Sequence, residues 1–423
     1  MKLKFEKKSG KLAWIVWTVA VIFYLYEYLV RVAPSVMEEE LAAQFSASTA
    51  TMGAVLGSYY FVYAPLQLFA GILFDRFGGR AILIPASILV VIGCLIPVIP
   101  STSLAYLTAG RILSGIGSSC AFIGVMYLAA VWFHNERLAF LSGLATSLGI
   151  CGALLGQAPL ALLIDSVGWQ ISLIVMAAVG LLSTLLIVLY VPETPHWEDE
   201  KKSALSDSTT RRNFLSGLIA VCKNKQTWII GLVGACLYTP LVIFGDLWGV
   251  QYMEISMGLS KAKAAEISGM MYVGWLVGSP LAGLISDVIK CRRKLLICGA
   301  FASTILFAIV LLWPIKSPFT VGLFLFLIGM CSSPEVICFV ASLELNSNRA
   351  KGSAIAMINM LVMLIGGLFQ PIVGWLMTLH STQTASHTVS SDAFRNALLT
   401  MPVLTLIGLL LALTMSKGIN IKS

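Results

Sequence analysis

The chain has 423 residues, of which 58% are hydrophobic and only 11% charged, too little polar surface to clothe a soluble globule of that size. A formal net charge of +8 would suit nucleic acid if the basic residues shared one accessible face. They are strung between long apolar stretches instead, which excludes a nucleic-acid partner and makes membrane lipid the solvent.

Crossing a hydrocarbon core of roughly 30 Å takes about 20 apolar helical residues. Twelve stretches meet that need, beginning near Leu12, Thr49, Ala81, Leu104, Leu138, Ile171, Thr227, Ala264, Leu295, Phe319, Gly352 and Ala393. The expectation is an all-α membrane protein of twelve transmembrane helices. An even number puts both termini on one side, and on this topology that side receives 22 of the 28 lysines and arginines. Lys261, Lys263, Lys316 and Arg395 fall on the other side, and Arg31 and Arg111 lie within spans. The positive-inside rule then makes both termini cytoplasmic, and a bacterial inner membrane is the expected location. The basic N-terminus runs into a span too long for a signal-peptide core, so the first helix is expected to stay uncleaved. None of the nine cysteines maps to an outer loop, and no disulfide is expected.

In the first span Glu27 lies 16 residues beyond Lys11, about 24 Å along a helix. A charge at that depth needs a partner or a water-filled cavity. Arg31 follows at i,i+4, the spacing at which carboxylate and guanidinium pair, and Tyr24 and Tyr28 extend the polar stripe. The readings are an internal pair, or Arg31 stretching to the outer interface, and against these a cavity-lining pair that exchanges partners with a substrate or proton. Tyr60, Tyr63 and Gln67 share a face of the second span around Pro65. Each is read as a packing hydrogen bond or as a ligand. In the fourth span Arg111 sits about two turns in, its planar fork suited to a carboxylate. The alternative is helix packing through Gly115 and Gly117, with backbone carbonyls satisfying the guanidinium.

Gln157 follows in the fifth span, and then the longest polar stretch, with PETPHWEDEKKSALSDSTTRR at its core. It reads as a cytoplasmic linker over residues 192–225 between a bundle of six helices at 1–191 and another at 226–423. Tyr238 is a further buried polar group in the seventh span, where Asp246, flanked by Trp248, is expected at the membrane interface. In the tenth span Glu335 follows Ser332, Ser333 and Pro334, where proline frees carbonyls that only a cavity or polar neighbours make tolerable. Asn359 and Gln370 belong to the eleventh.

An internal repeat supports the division. GILFDRFGGR from Gly71 is echoed by GLISDVIKCRR from Gly283, so that Gly71 and Gly283, Asp75 and Asp287, and Arg80 and Arg292 are each 212 apart. Arg137 and Arg349 keep that offset, and Gln157 and Gln370 stand 213 apart. Six spans per repeat give parallel halves with a site at their shared interface.

Gly71, Asp75, Arg76, Gly78 and Arg80 resemble the G-x-x-x-D-R-x-G-R-R/K loop of the major facilitator superfamily, departing at Gly79, where a basic residue is usual. Asp287, Arg292, Arg293 and Lys294 are similar to its degenerate second copy. RILSGIGSS from Arg111 resembles the R-x-x-x-G-x-G motif of that family, and Gly143, Gly149, Gly152, Gly156 and Pro159 loosely resemble its Gly/Pro-rich motif. YLYEYLVRVAPSVM in the first span looks similar to bacterial members near the lysosomal dipeptide-transporter branch. The resemblance implies an alternating-access transporter acting as a monomer. It also implies a cytoplasmic gate built from Gly71, Asp75, Arg76, Arg80, Asp287, Arg292 and Arg293, and a place for Arg111 at the central cavity.

No G-x-x-x-x-G-K-[ST], H-E-x-x-H or G-x-S-x-G sequence occurs, which argues against ATP hydrolysis, zinc and serine hydrolysis, and no cofactor is expected. A gradient then supplies the energy. The two-signed set of Glu27, Arg31, Arg111 and Glu335 predicts a permease for a small charged or zwitterionic solute such as an amino acid, short peptide or organic acid. Protons are the expected coupling ion, carried by Glu27 or Glu335. Drug or siderophore export and a non-transporting sensor are the alternatives.

Overall fold

The structure, a computed structural model, describes residues 10–100, 103–133, 137–193, 218–289, 291–313, 315–346, 351–380 and 390–416. The side chains of Asp75 and Asp287, and residues 194–217 of the expected linker, lie outside the described residues. The described chain is helical throughout, as it must be where no water is present to satisfy the backbone.

Twelve helical segments are long and apolar enough to cross a membrane. Spans 1 to 6 are Lys11–Val36, Thr49–Phe74, Gly79–Val98, Leu104–Trp132, Leu141–Val167 and Trp169–Tyr190. Spans 7 to 12 are Lys225–Met257, Lys261–Ser286, Arg292–Leu312, Pro318–Leu345, Ser353–Leu379 and Ser391–Thr414. All twelve sequence expectations find their span. Apolar side chains on the outside, such as Leu181, Leu185 and Leu189 at i,i+4,i+8 on span 6, are more than half or nearly half exposed. In this chain an exposed leucine face is the lipid contact.

The first six spans pack on the last six along three seams: span 2 on span 11, span 5 on span 8, and the ends of spans 1 and 7 on each other. The seam of spans 2 and 11 is the most extensive pairing in the molecule. At its Thr49 end the backbones nearly touch: a Cβ on Gly53 would lie 2.9 Å from the Gln370 carbonyl oxygen. Near the other end of the same span, a Cβ on Gly71 would meet nothing within 4 Å, and Gly283 at the corresponding end of span 8 is equally uncrowded. Along span 2 the close backbone approach therefore belongs to Gly53 and not to Gly71. The seam of spans 2 and 11 is tightest at the Thr49 end and loosens beyond the bond between Asn359 and Gln67, one turn before Gly71.

Several of the described spans are interrupted, and four of the breaks lie where the sequence weakens the α-helix. Span 1 tightens into a 3₁₀ turn at Ala33–Val36 around Pro34. Span 5 breaks between Leu155 and Ala158, where Gln157 leaves helical geometry, whereas span 11 runs unbroken from Lys351 to His380 through Gln370 and Pro371. The repeat is therefore not exact in local geometry at the two glutamines, where the offset is 213 rather than 212. Span 7 widens into a π-helical stretch at Leu241–Trp248, directly after Pro240, and span 10 kinks at Ser333–Glu335. Such departures free backbone groups at depth, and they mark functional positions more often than chance.

Candidate functional site

The centre of the site is the pair on span 1. Arg31 donates from Nη2 to Glu27 Oε1 at 2.6 Å and from Nε to the same oxygen at 3.0 Å. Both residues are essentially inaccessible, at 0% and 1% exposure, so neither reaches the interface and the extended Arg31 geometry does not occur. Span 2 completes the shell. Tyr59 donates its hydroxyl to Glu27 Oε1 at 2.5 Å, and Tyr63 accepts from Arg31 Nη2 at 2.9 Å. The guanidinium carbon lies 4.2 Å from the centre of the Tyr28 ring and 4.8 Å from that of Tyr63, an aromatic cage of the kind that holds a desolvated cation. Glu27 Oε2 and Arg31 Nη1 are buried and have no partner among the described residues. The pair therefore presents one free acceptor and one free donor in a place where an unmade hydrogen bond costs about 1–3 kcal/mol.

Asp246 is the principal correction. The sequence places it at the membrane interface; in the structure it is buried in the π stretch of span 7, accepting from the hydroxyls of Tyr60 on span 2 and Tyr272 on span 8. The wide turn aims the side chain inward, and one carboxylate thereby ties both halves of the chain. Tyr60 and Tyr63, expected on one face, thus serve different charges: Tyr60 donates to Asp246 and Tyr63 accepts from Arg31. The ring of Tyr60 packs edge-on against Tyr59 at 5.1 Å, so the two polar centres are neighbours. Tyr59 and Tyr272 escaped the sequence reading. The i,i+4 spacing of Tyr59 and Tyr63 was the available signal for the first, and nothing around Tyr272 marks the second.

The repeat-related glutamines converge on the same π stretch. Gln157 donates from Nε2 to the Gly245 carbonyl at 2.9 Å and to Ser35 Oγ at 3.2 Å. Gln370 donates to the Val242 carbonyl at 2.9 Å, and its own carbonyl accepts from Trp248 Nε1 at 3.2 Å. Two amides from opposite halves so satisfy carbonyls that the widened helix leaves open. Tyr28 and Tyr238 share a hydrogen bond of 3.4 Å across the interface, and Tyr24 packs edge-on against Tyr28. On the Gly71 side of this chamber, Asn359 on span 11 donates to Gln67 on span 2.

Arg111 takes the packing alternative. Nε donates to the Leu56 carbonyl at 3.2 Å and Nη1 to the Val30 carbonyl at 3.3 Å, with the guanidinium 4.6 Å from the Tyr59 ring centre. It binds spans 1 and 2 to span 4 and borders the site from behind Tyr59. Glu335 is buried in the kink of span 10, whose neighbours are spans 7, 8 and 9. Among the described residues no ion pair or hydrogen bond joins it to Glu27, Arg31 or Arg111; the acid tied to span 2 beside them is Asp246, through Tyr60.

The expected gate residues divide. Arg292 grips Glu344 through Nη2 at 2.7 Å and donates to Ser286 Oγ at 3.1 Å, and Arg293 donates to the carbonyls of Ala412 and Leu413. All these partners lie in the last six spans. Arg76 is exposed, 5.3 Å from the ring centre of Phe77, and Arg80 is half-buried. At the opposite end Glu40, on the short helix Glu38–Phe45 after span 1, accepts from Lys261 at the start of span 8. Glu38, just outside span 1, is buried at 3% exposure. Burial, reinforced by the charges of Glu39, Glu40 and Glu254, pushes its carboxyl up to about 7.

Comparison with known proteins gives a consistent picture. Residues 16–371 match the family model of the Major Facilitator Superfamily. The chain is 22% identical over 287 residues to a probable sulfoacetate transporter of Cupriavidus necator, a match covering 64% of each chain and so less than two thirds of that relative's length. It is 22% identical over 356 residues to a probable hexose phosphate transport protein of Chlamydia muridarum, covering 78% of this chain and 77% of the relative. A crystal structure of a bacterial homologue of the human lysosomal transporter Spinster, inward-facing and occupied, superposes with a TM-score of 0.76 at 15% identity, over 96% of this chain and 97% of that one. With twelve apolar spans, interrupted helices around a buried polar centre and a family match over most of its length, the chain belongs to the Major Facilitator Superfamily: it is an integral membrane transporter and not an enzyme.

Proposed function

We propose that the protein is a permease for a small charged or zwitterionic solute, driven by a proton gradient. The observation that carries this reading is the Glu27–Arg31 pair, fully buried where the first six spans meet the last six and holding one free acceptor and one free donor. A substrate anion reaching Arg31 competes with Glu27 for the guanidinium. Once displaced, Glu27 has only Tyr59 as a donor, and a proton in its place restores neutrality. Substrate and proton then travel together, because neither leaves the site electrically satisfied alone. Sulfoacetate and hexose phosphate, named for two relatives, are anions of the size that one guanidinium grips.

In this reading residues 1–191 and 226–423 rock as two bodies joined by 192–225, with both termini cytoplasmic in a bacterial inner membrane. The Thr49 end of span 2 faces outward, so the sealed seam there and the open space at Gly71 and Gly283 describe a state closed to the outside. One chain holds a site between its own halves, which supports a monomer.

The test is uptake into proteoliposomes of labelled organic acids, amino acids and dipeptides, with and without an imposed inward-directed proton gradient. Uphill accumulation that collapses with the gradient is expected, and Arg31→Lys, which keeps the charge but loses the fork, should lose most of it while remaining folded. Accumulation indifferent to the gradient would overturn the coupling, and full activity of Arg31→Lys would overturn the clamp.

A further inference from the structure

The uncommitted charges of the chamber have two signs and two places. Arg31 Nη1 is the free donor on one side. On the other, Asp246 forms no ion pair with any described residue and is held only by the hydroxyls of Tyr60 and Tyr272. An ionised carboxylate has about four acceptor positions; the two phenols fill two. The rest suit a donor-rich cation. The groups around Asp246 from each packed element are Tyr60 on span 2, Tyr272 on span 8, Tyr238 on span 7, Glu27 and Arg31 on span 1 and Arg111 on span 4. Of the two arginines, Arg31 is engaged with Glu27 and Arg111 with backbone carbonyls. Neither closes on Asp246. Tyr59, bonded to Glu27, and Tyr60, bonded to Asp246, pack edge-on with ring centres 5.1 Å apart, so the two poles lie side by side.

Building on the permease reading, we infer that Asp246 recognises a substrate ammonium group while Arg31 recognises the anionic end, so that the cargo is a zwitterion of the amino-acid or short-peptide class rather than a simple organic anion. An anion lacking the ammonium would satisfy Arg31 and leave the buried carboxylate of Asp246 without a cation beside a second negative charge, which disfavours it. Tyr60 and Tyr272 then act as positioning residues that fix the Asp246 rotamer and supply its remaining hydrogen bonds.

The experiment is a thermal-shift screen on the purified full chain with the protein amino acids, representative dipeptides, sulfoacetate and a sugar phosphate, a bound ligand raising the apparent stability by mass action. Each compound that shifts Tm is compared with its N-acetyl form, which removes the cation, and its amide, which removes the anion. In the unmodified protein both are expected to bind roughly 30-fold or more weakly, as when one member of a buried charge pair is removed. In Asp246→Asn the gap between parent and N-acetyl form should fall to a few-fold while the amide stays excluded. Tyr272→Phe, which keeps the carboxylate, should retain the discrimination with reduced affinity and shows whether loss in Asp246→Asn is merely misfolding. N-acetyl forms binding as well as their parents, or discrimination that survives Asp246→Asn, would overturn the assignment. So would a screen in which sulfoacetate or a sugar phosphate shifts Tm and no zwitterion does; that result leaves the anion clamp at Arg31 standing and fails only the ammonium site.

Discussion

Glu27 and Arg31 illustrate how a buried ion pair is held and what it costs to disturb. Removing one partner strands the other charge in a medium that solvates it poorly, at about 3–5 kcal/mol, whereas replacing both with apolar groups of similar volume is often neutral. Glu27→Gln is therefore expected to lower the unfolding temperature in detergent markedly, and Glu27→Gln with Arg31→Met to recover much of the loss while abolishing transport. A double variant no more stable than the single one would show that the pair is not the source of the strain. These two residues were legible in the sequence because charge at depth is rare and i,i+4 spacing fixes a shared helical face. Asp246 was misread for a physical reason: its position along the chain, near the end of an apolar run and beside a tryptophan, is that of an interfacial residue, and only the π turn redirects it inward. Tyr272 carries no charge and no pattern, so its role exists only through the partner that folding brings to it.

Among the elements, the short helix Glu38–Phe45 bears on pH dependence. Glu38 is buried and its carboxyl titrates near 7, above its ordinary value of 4.5. A carboxyl raised in the closed state binds its proton more tightly there than when hydrated, so its contribution to that state is fully present below about 4.5 and is lost as the pH rises through about 7. The protein should unfold at a higher temperature at pH 5.5 than at pH 8, by an amount that Glu38→Gln reduces, Glu254 being a second acid in the same cluster of charges; an identical pH profile in that variant would rule Glu38 out as a contributor. The span positions followed directly from apolar run length. The interruptions followed less well, because proline marks where a helix is weakened without saying whether the chain kinks, tightens or widens: Pro34 gives a 3₁₀ turn, Pro240 precedes a π turn, and Pro371 leaves its helix continuous.

At the scale of the whole molecule, the 212-residue repeat reads as two parallel halves of six spans, since similar sequences six spans apart enter the membrane in the same sense. Which end is closed was not visible, because the same sequence must form both states. The ion pair of Glu40 with Lys261 joins the two halves at the sealed end, and alternating access requires these residues to part. Glu40→Cys combined with Lys261→Cys, bridged by a short reducible crosslinker, should bring transport to background and regain it on reduction. Undiminished transport by the crosslinked protein would mean that this end does not open.

The π turn at Leu241–Trp248 has one more consequence, in rotation. Each residue of an α-helix advances the azimuth by about 100°, so a segment wound wider than its flanks shifts the phase between the Tyr238 end and the Trp248 end of span 7. Deleting Gly245 would rewind that phase by one residue, and Tyr28 and Gln370, which hold the two ends from fixed positions, could no longer both be met. The span behaves as a shaft with a built-in offset, and that offset decides which side chains are turned toward Tyr28, Gln157 and Gln370.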